Sequence, residues 1–216
     1  MLNRKQSLIH TLRAIYKTVV HNMKTLGLIF SYLLIAIGFA SWFLVPKFFS
    51  NENEIPLGDI KGFVIDSKNN IYFGSGFYER VQVYNQDGEF IKNWKVDSHG
   101  GTYIIDIAEN DNILITTARG DEQIEYDQNG NVIKRKDVNP LQYELKDFNE
   151  RESFTTNDGT EYLLNGSFIT ELIKTNPKKT IVKQNLFLQI IKGPTNSWIL
   201  GVIGILFVNL LSRKKK

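Results

Sequence analysis

The chain of 216 residues contains no cysteine and only three histidines. Without cysteine, a disulfide, a thiolate metal site and a cysteine nucleophile are all excluded. The sequence also has no H-E-x-x-H run, no Ser-His-Asp order and no phosphate-binding glycine loop. We therefore predict no catalytic residue, no metal ligand and no cofactor.

Acidic residues are missing from both ends of the chain. Residues 1–25 carry five Lys and Arg, the chain ends in RKKK, and all 23 acids lie between these ends. The part between them also holds 17 basic residues, so its net charge is about −6. Because Lys and Arg beside a membrane span stay on the cytoplasmic side, we predict cytoplasmic termini and an extracytoplasmic domain at 46–194. The basic pI is then a sign of topology and does not indicate nucleic-acid binding.

A long apolar run follows the basic arm. Residues 26–45 include no charged residue, and twenty helical residues match the roughly 30 Å hydrocarbon core. We predict a first transmembrane helix there, with a signal peptide cleaved near Ala40 as the alternative. A second run, Trp198 to Leu211, reaches spanning length only from residue 195, so 195–211 is predicted as a second span before the tail at 212–216. A buried core helix is the alternative for this shorter run.

The N-terminal arm, residues 1–25, has apolar residues at helical spacing: Leu8, Leu12, Ile15 and Val19. Arg13 and Lys17 fall between them. One interpretation is an amphipathic helix in the lipid headgroup region. The other is a cytoplasmic extension of the first membrane helix.

The central segment contains a repeat of about 40 residues. Short apolar bursts between Gly62 and Trp94 alternate with turn-forming stretches, which is typical of a four-strand antiparallel meander. The motif Asn70-Ile-Tyr-Phe returns as Asn112-Ile-Leu-Ile, and the turn at Tyr84 returns at Tyr126; both pairs are offset by 42 residues. A fainter third copy follows, and the repeats are predicted at about 58–97, 101–138 and 150–191.

This pattern resembles the NHL-repeat and related six-bladed β-propeller families. The similarity lies in D-x-x-x-N-I-Y-F, from Asp66, followed by V-x-V-Y-x-x-D-G-x-F, from Val81. It implies a mainly β fold of four-strand, blade-like repeats, here a partial propeller or open arc flanked by two transmembrane helices. Closed propellers have about four to eight blades, whereas this chain has room for about three. Since exposed sheet edges invite pairing, we predict a homo-oligomer or a protein partner that completes the assembly.

Three residues are candidates for ligand contact. Phe77 and Tyr78 follow Gly74-Ser-Gly76 in a predicted loop, and His99 lies in the Gly-rich stretch between the first two repeats. Asp66 and Glu109 precede comparable strands, where acids most often bond the turn backbone. The predicted function is therefore non-catalytic binding by a membrane-anchored propeller-like module. A propeller-type hydrolase or lyase, and an accessory or immunity subunit of a membrane complex, are the alternatives.

Overall fold

A computed structural model describes residues 2–44, 53–138, 152–166, 170–192 and 194–212. The chain divides into two compact units. One contains the helices near the two ends, and the other contains residues 44–195.

The helical unit is built from two antiparallel helices. Helix α1 runs over Leu2–Leu44 and helix α3 over Pro194–Ser212. A Cβ placed on Gly27 would lie 2.8 Å from Leu211 Cδ1, and one on Gly204 would lie 2.7 Å from the Ser31 carbonyl oxygen. Glycine at position 204 therefore permits the close backbone approach that small residues provide in membrane helix pairs.

One helix is long and apolar enough to cross a membrane among the residues that the structure describes. It is the Ile15–Ser41 part of α1, near the N-terminus. This segment meets the length and hydropathy expected of a membrane span, and a signal sequence would meet them too. Trp198–Ser212 is a shorter apolar helix by the same measure. The predicted first span is thus matched by an apolar helix, whereas the predicted second span is not supported by this measure.

The basic arm is part of the same helix as the apolar run. Helix α1 begins at Leu2 and continues without a break to Leu44. Of the two interpretations of the arm, this continuity favours an extension of the first apolar helix.

The β unit contains three antiparallel four-stranded sheets, each with its strands in sequence order. Sheet 1 consists of β1 (Ile60–Ile65), β2 (Ile71–Ser75), β3 (Arg80–Tyr84) and β4 (Phe90–Lys95). Sheet 2 consists of β5 (Tyr103–Ile107), β6 (Ile113–Thr117), β7 (Glu122–Tyr126) and β8 (Val132–Asp137). Sheet 3 consists of β9 (Ser153–Thr155), β10 (Glu161–Asn165), β11 (Glu171–Lys174) and β12 (Lys179–Lys183). The predicted mainly β, blade-like repeats are confirmed, including the faint third copy.

A short helix follows the last strand of sheet 3. It is α2, Leu186–Lys192, at the end of the range predicted for the third repeat. The Asn185 side-chain oxygen accepts the backbone N–H groups of Phe187, at 2.9 Å, and Leu188, at 3.4 Å. Asn185 therefore caps this helix.

Five hairpin turns in these sheets share one five-residue pattern. They begin at Asp66, Asn85, Ala108, Asp127 and Thr156. In each, the first residue donates its N–H to the carbonyl of the fifth, and the fourth donates to the carbonyl of the first. The fourth residue has a positive φ and is Asn69, Gly88, Asp111, Gly130 or Gly159. The Asn, Asp and Gly residues at this position are those that tolerate left-handed backbone, so the predicted turn chemistry is confirmed.

Sheet 1 lies between the other two sheets. One of its faces packs on sheet 2 through a core that includes Val64, Tyr72 and Trp94. The opposite face packs on sheet 3 through a core that includes Phe63, Ile71 and Phe73. The spatial order is therefore sheet 3, sheet 1, sheet 2, because the third copy lies on the free face of the first.

The same contact recurs at both sheet junctions. A Cβ on Gly130, in the last turn of sheet 2, would lie 2.4 Å from Trp94 Cγ on the outer strand of sheet 1. A Cβ on Gly88, in the equivalent turn of sheet 1, would lie 1.9 Å from the Ile181 carbonyl oxygen on the outer strand of sheet 3. Equivalent turns therefore contact equivalent strands, as in successive blades of a propeller.

Several positions that are apolar on the packed faces of sheet 1 are polar on the outward faces of sheets 2 and 3, where Ile104 and Leu163 also lie. Four residues of sheet 1 face sheet 2: Val64, Val81, Val83 and Trp94. The equivalent residues of sheet 2, 42 positions later in the sequence, lie on its outward face and are Asp106, Gln123, Glu125 and Lys136. At the other end, Phe63, Ile65 and Ile71 of sheet 1 correspond to Ser153, Thr155 and Glu161 on the open face of sheet 3. Polar outer faces are what terminal units of a stacked repeat need for solubility.

Substituting Gly88 by Ala should destabilise the protein much more than substituting Gly159. Both residues have a φ of 82°, so the left-handed backbone costs a side chain about 1–2 kcal/mol at each. A Cβ at Gly159 meets nothing within 4 Å, whereas at Gly88 it meets the Ile181 carbonyl. We expect overpacking to add roughly 1–3 kcal/mol for G88A. Thermal unfolding of the full chain in detergent measures the difference; equal losses would contradict the packed junction.

Candidate functional site

A polar pocket lies where the inner hairpin turns of the three sheets converge. Its volume is about 390 Å³. It is lined by the β1–β2 turn (Ile65, Asp66, Ser67, Asn69), the β5–β6 turn (Ile107, Ala108, Glu109, Asp111) and the start of sheet 3 (Phe154, Thr156, Asn157, Asp158). Three equivalent turns, one from each repeat, therefore supply the lining.

Asp66 is the most deeply buried of these acids, at 3% exposure. One of its oxygens accepts the N–H groups of Lys68, at 2.9 Å, and Asn70, at 2.7 Å. The other accepts the Asn70 side-chain N–H, at 2.8 Å, and the Tyr72 hydroxyl, at 2.9 Å. Burial, with the nearby Asp66 carboxylate adding to it, raises the pKa of Tyr72 well above its usual value. The Tyr72 hydroxyl therefore remains a donor, and Asp66 organises the turn, as the sequence predicted.

A second carboxylate joins two sheets across the pocket. Asp111 accepts the backbone N–H of Ser67 at 3.0 Å with one oxygen, and the Ser67 hydroxyl with the other. The two turns come from sheet 1 and sheet 2. Their relative position is therefore held by a two-point contact, and the Ser67 hydroxyl is oriented toward a carboxylate.

Glu109 and Asp158 complete the acidic lining. Both are exposed, and the pKa of Asp158 is lowered first by the Thr156 hydroxyl and then by the Thr160 backbone N–H. Asp158 is thus ionised over the physiological pH range. Over the described part of the chain, the lining includes four carboxylates and no Lys, Arg or His. Its potential is therefore negative, and it favours a cationic or donor-rich group over an anion.

The described residues of the pocket include few groups that are placed for catalysis. Asp66 and Asp111 already accept two or more hydrogen bonds each, and Ser67 donates to a carboxylate without an imidazole beside it. Among the residues that the structure describes, no group of three or more His, Asp or Glu is placed to hold a metal ion. The geometry is suited to hydrogen bonding and charge recognition.

The three residues predicted to contact a ligand lie at the opposite end of the sheets. Phe77 and Tyr78 occupy the β2–β3 loop, where their rings make an edge contact with centroids 4.9 Å apart. Tyr78 is 2% exposed, and burial raises the pKa of its hydroxyl well above the usual value. Tyr78 is therefore a packed side chain, whereas Phe77 is partly accessible.

His99 lies in the neighbouring β4–β5 loop. The two loops are joined by the Val96 N–H donating to the Glu79 carbonyl at 2.7 Å and by the Ser98 hydroxyl donating to the Glu79 carboxylate at 3.0 Å. His99 Nδ1 is 3.7 Å from Asp97 Oδ1, and both side chains are about half exposed. The structure thus places the three candidates on adjoining loops, and their contact with a ligand stays a prediction.

Sequence reasoning did not find the pocket as a site. It paired Asp66 with Glu109, whereas the shared turn geometry pairs Asp66 with Ala108 and Glu109 with Ser67. The repeat offset of 42 residues also relates Asp66 to Ala108. That offset was the available signal that the β5–β6 turn has Ala108 where the β1–β2 turn has Asp66. In the β5–β6 turn, the Asn110 side chain accepts the Asn112 N–H, at 3.2 Å, as Asp66 accepts the Asn70 N–H in the other turn.

No protein-family model matches this chain, and no curated protein matches it. Solved structures do match. Virginiamycin B lyase from Staphylococcus aureus is 15% identical with a TM-score of 0.34, and the match covers 61% of this chain and 42% of that one. A streptogramin B lyase is 11% identical with a TM-score of 0.34, covering 60% and 41%. A Bacteroides caccae protein of unknown function is 13% identical with a TM-score of 0.31, covering 62% and 48%.

The chain thus spans less than half the length of these proteins. At this similarity the matches support no conclusion about fold or activity. Membership of the NHL-repeat family stays a prediction.

Replacing Asp66 by Ala should cost more stability than the same change at Asp127. Asp127 makes the equivalent contacts to Asn129 and Asn131 in a turn that is more accessible to water. Removing Asp66 leaves buried donors without a partner, so we expect roughly 2–3 kcal/mol for D66A and under about 1 kcal/mol for D127A. Thermal unfolding of the full chain measures both. A loss at Asp127 equal to that at Asp66 would show that burial of the turn is unimportant.

Proposed function

We propose that the protein is a membrane-anchored binding module whose propeller-like β unit recognises a ligand without catalysis. The observation that carries the proposal is the convergence of three equivalent turns on one negatively charged pocket. A chain with a long apolar helix beside a polar β unit is suited to present such a pocket at a membrane surface.

The membrane topology that we propose has two spans and cytoplasmic termini. Two contacts support the second span: Gly204 against Ser31 and Leu211 against Gly27 make α1 and α3 an antiparallel pair. Helix α3 has 19 residues, which is about 28 Å of helix and close to the hydrocarbon thickness. The basic residues of the arm and tail then lie on one side, as the distribution of Lys and Arg requires, and the β unit is extracytoplasmic.

The ligand chemistry follows from the lining of the pocket. Carboxylates and side-chain amides accept hydrogen bonds, so an amine, a guanidinium or a sugar-like group rich in donors fits their chemistry. A phosphate or nucleic acid would be repelled by the four carboxylates. This agrees with an external protein, peptide or envelope component as the ligand class.

A hydrolase or lyase is the weaker proposal. The one histidine of the β unit, His99, lies in a loop at the end opposite to Ser67 and the pocket carboxylates. General acid–base chemistry needs such groups within hydrogen-bond distance of one reacting atom. The lyases named above carry their activity on proteins more than twice as long as the matched part.

We also propose that a protein partner or a second copy of the chain completes the sheet assembly. The open faces of sheets 2 and 3 carry Asp106, Gln123 and Glu125 at one end and Ser153, Thr155 and Glu161 at the other. A partner at either face would therefore meet these polar groups together with Ile104 on sheet 2 or Leu163 on sheet 3.

The proposed topology predicts which sites a membrane-impermeant thiol reagent can reach. The natural chain has no cysteine, so each variant carries one thiol. We expect Gln86→Cys, in an exposed turn of the β unit, to be labelled in intact cells, and Lys17→Cys only after the membrane is opened. The reverse pattern would reject the orientation, and labelling of both in intact cells would reject the two-sided arrangement.

The pocket predicts a charge-dependent affinity for cationic probes. Spermidine or an arginine-rich peptide should bind the purified full chain, and the double substitution Glu109→Gln with Asp158→Asn should weaken binding roughly three- to tenfold. The double substitution Glu161→Gln with Asp121→Asn, at two exposed acids outside the pocket lining, is the matched control. Isothermal titration measures the affinities, and an equal effect of the control would assign the attraction to overall charge.

A further inference from the structure

The chain enters and leaves the β unit at one place, which we call the entry–exit point. The entering segment includes Leu57, just before β1, and the leaving segment begins at Gln184, just after β12. The buried Thr170 bonds to both. Its hydroxyl donates to the Leu57 carbonyl oxygen at 2.8 Å, and its N–H donates to the Gln184 side-chain oxygen at 3.0 Å. The two segments are therefore held side by side.

The entry–exit point lies at the end of the sheets opposite to the acidic pocket. Strand β1 begins beside it, at Ile60, and ends at Ile65, which lines the pocket. Strand β10 begins at Glu161, after the turn that lines the pocket, and ends at Asn165, whose pairing partner directly follows Thr170. Strands of this length span roughly 17–20 Å. The pocket is therefore about one strand length away from the place where the chain enters and leaves.

Helix α2 is fixed to the β unit at the entry–exit point and leaves apolar side chains exposed. Its Gln189 is 3% exposed and accepts a hydrogen bond from the Gln184 side chain. Leu186 and Phe187, in the first turn of α2, are 46% and 68% exposed. Among the described side chains of the β unit, Phe187 is the most exposed large apolar one. We call Leu186 and Phe187 the α2 surface.

The position of α2 in the chain decides what lies near this surface. Helix α2 ends at Lys192 and α3 begins at Pro194, so the Cα atoms of these two residues are at most about 7 Å apart. The headgroup region on each side of a bilayer is roughly 5–7 Å deep. With α3 spanning the membrane as proposed above, α2 therefore lies at the membrane–water interface. Trp198, near the start of α3, is a residue type that is enriched at this interface.

The α2 surface is too small to hold a protein partner by itself. A stable protein interface buries about 800 Å² on each partner, whereas an aromatic side chain such as Phe187 supplies roughly 150–250 Å². Lipid sets no such minimum here, because the membrane helices already hold the chain at the bilayer. Two apolar side chains then need only to orient the β unit.

We propose that the α2 surface rests on the lipid of the extracytoplasmic leaflet, so that the entry–exit point faces the bilayer and the acidic pocket faces the aqueous phase. The proposal rests on the membrane anchoring proposed above. The pocket then takes its ligand from the aqueous compartment, at least one strand length, roughly 17–20 Å, from the lipid. Phe77, whose loop lies at the same end as the entry–exit point, is on the bilayer side in this orientation.

Fluorescence quenching of single-site probes tests this orientation. The natural chain has no cysteine, so Phe187→Cys, Ile133→Cys and Asn157→Cys each provide one thiol for an environment-sensitive fluorophore. Ile133 is the matched control, since it is an apolar residue of β8 that is 54% exposed and lies near the pocket end. Asn157 lines the pocket itself. Each full-length variant is reconstituted into phosphatidylcholine vesicles in which part of the lipid carries a nitroxide at the top of its acyl chain.

The nitroxide lipid should quench the probe at position 187 at least about threefold more than the probes at 133 and 157, because an interfacial helix buries its apolar side chains about 5–10 Å into the headgroup boundary. Iodide in the water on both sides should give the opposite order. The nitroxide is present in both leaflets, so mixed insertion of the chain does not change the comparison. Leu186→Cys should repeat the result for Phe187→Cys.

Three results would overturn the orientation. They are equal lipid quenching at the three positions, iodide quenching at 187 equal to that at 157, and a probe at 187 that neither iodide nor lipid reaches, which would indicate a protein cover. Vesicle flotation separates the two levels of the proposal. A chain that floats without lipid quenching at 187 rejects the orientation alone, whereas a chain that does not float rejects the membrane anchoring on which it rests.

Discussion

The packing of sheet 1 between two other sheets is the contact on which the β unit depends. Each four-stranded sheet has two faces, and sheet 1 packs against another described sheet on both, through Val64, Tyr72 and Trp94 on one side and Phe63, Ile71 and Phe73 on the other. A sheet of this size is stable only when a face is covered. The third copy supplies that cover by lying on the free face of the first, and this arrangement also brings three inner turns together around one pocket.

The outward faces of the arc differ from its packed faces. Positions that are apolar between sheets become Asp106, Gln123 and Glu125 on one outward face and Ser153, Thr155 and Glu161 on the other, next to the apolar Ile104 and Leu163. The pocket shares this polar character, since its acids either organise turns, as Asp66 and Asp111 do, or face solvent, as Glu109 and Asp158 do. Binding through charge and hydrogen bonds is the function that we propose for this surface.

The helical unit follows a different rule. Glycine and serine on one face of α1 allow α3 to approach. Around the rest of α1, large apolar side chains such as Met23, Phe30 and Phe39 are exposed, which suits a helix surrounded by lipid.

The sequence by itself determined the local features. The turns, the four-strand meanders, the 42-residue repeat and the apolar block of α1 depend on short-range chemistry: Asn, Asp and Gly at left-handed positions, alternation in strands and twenty residues without charge. The structural role of Asp66 followed from the same chemistry.

Tertiary structure alone decided which sheets pack together and where the site lies. Spacing along the chain cannot show that sheet 3 lies on sheet 1, because that choice depends on which faces are complementary over more than 90 residues of separation, from Phe63 to Phe154. It also cannot show that Tyr78 is packed inside while Glu109 and Asp158 share a pocket. Burial and proximity between distant residues are properties of the assembled core, and only the packed sheets determine them.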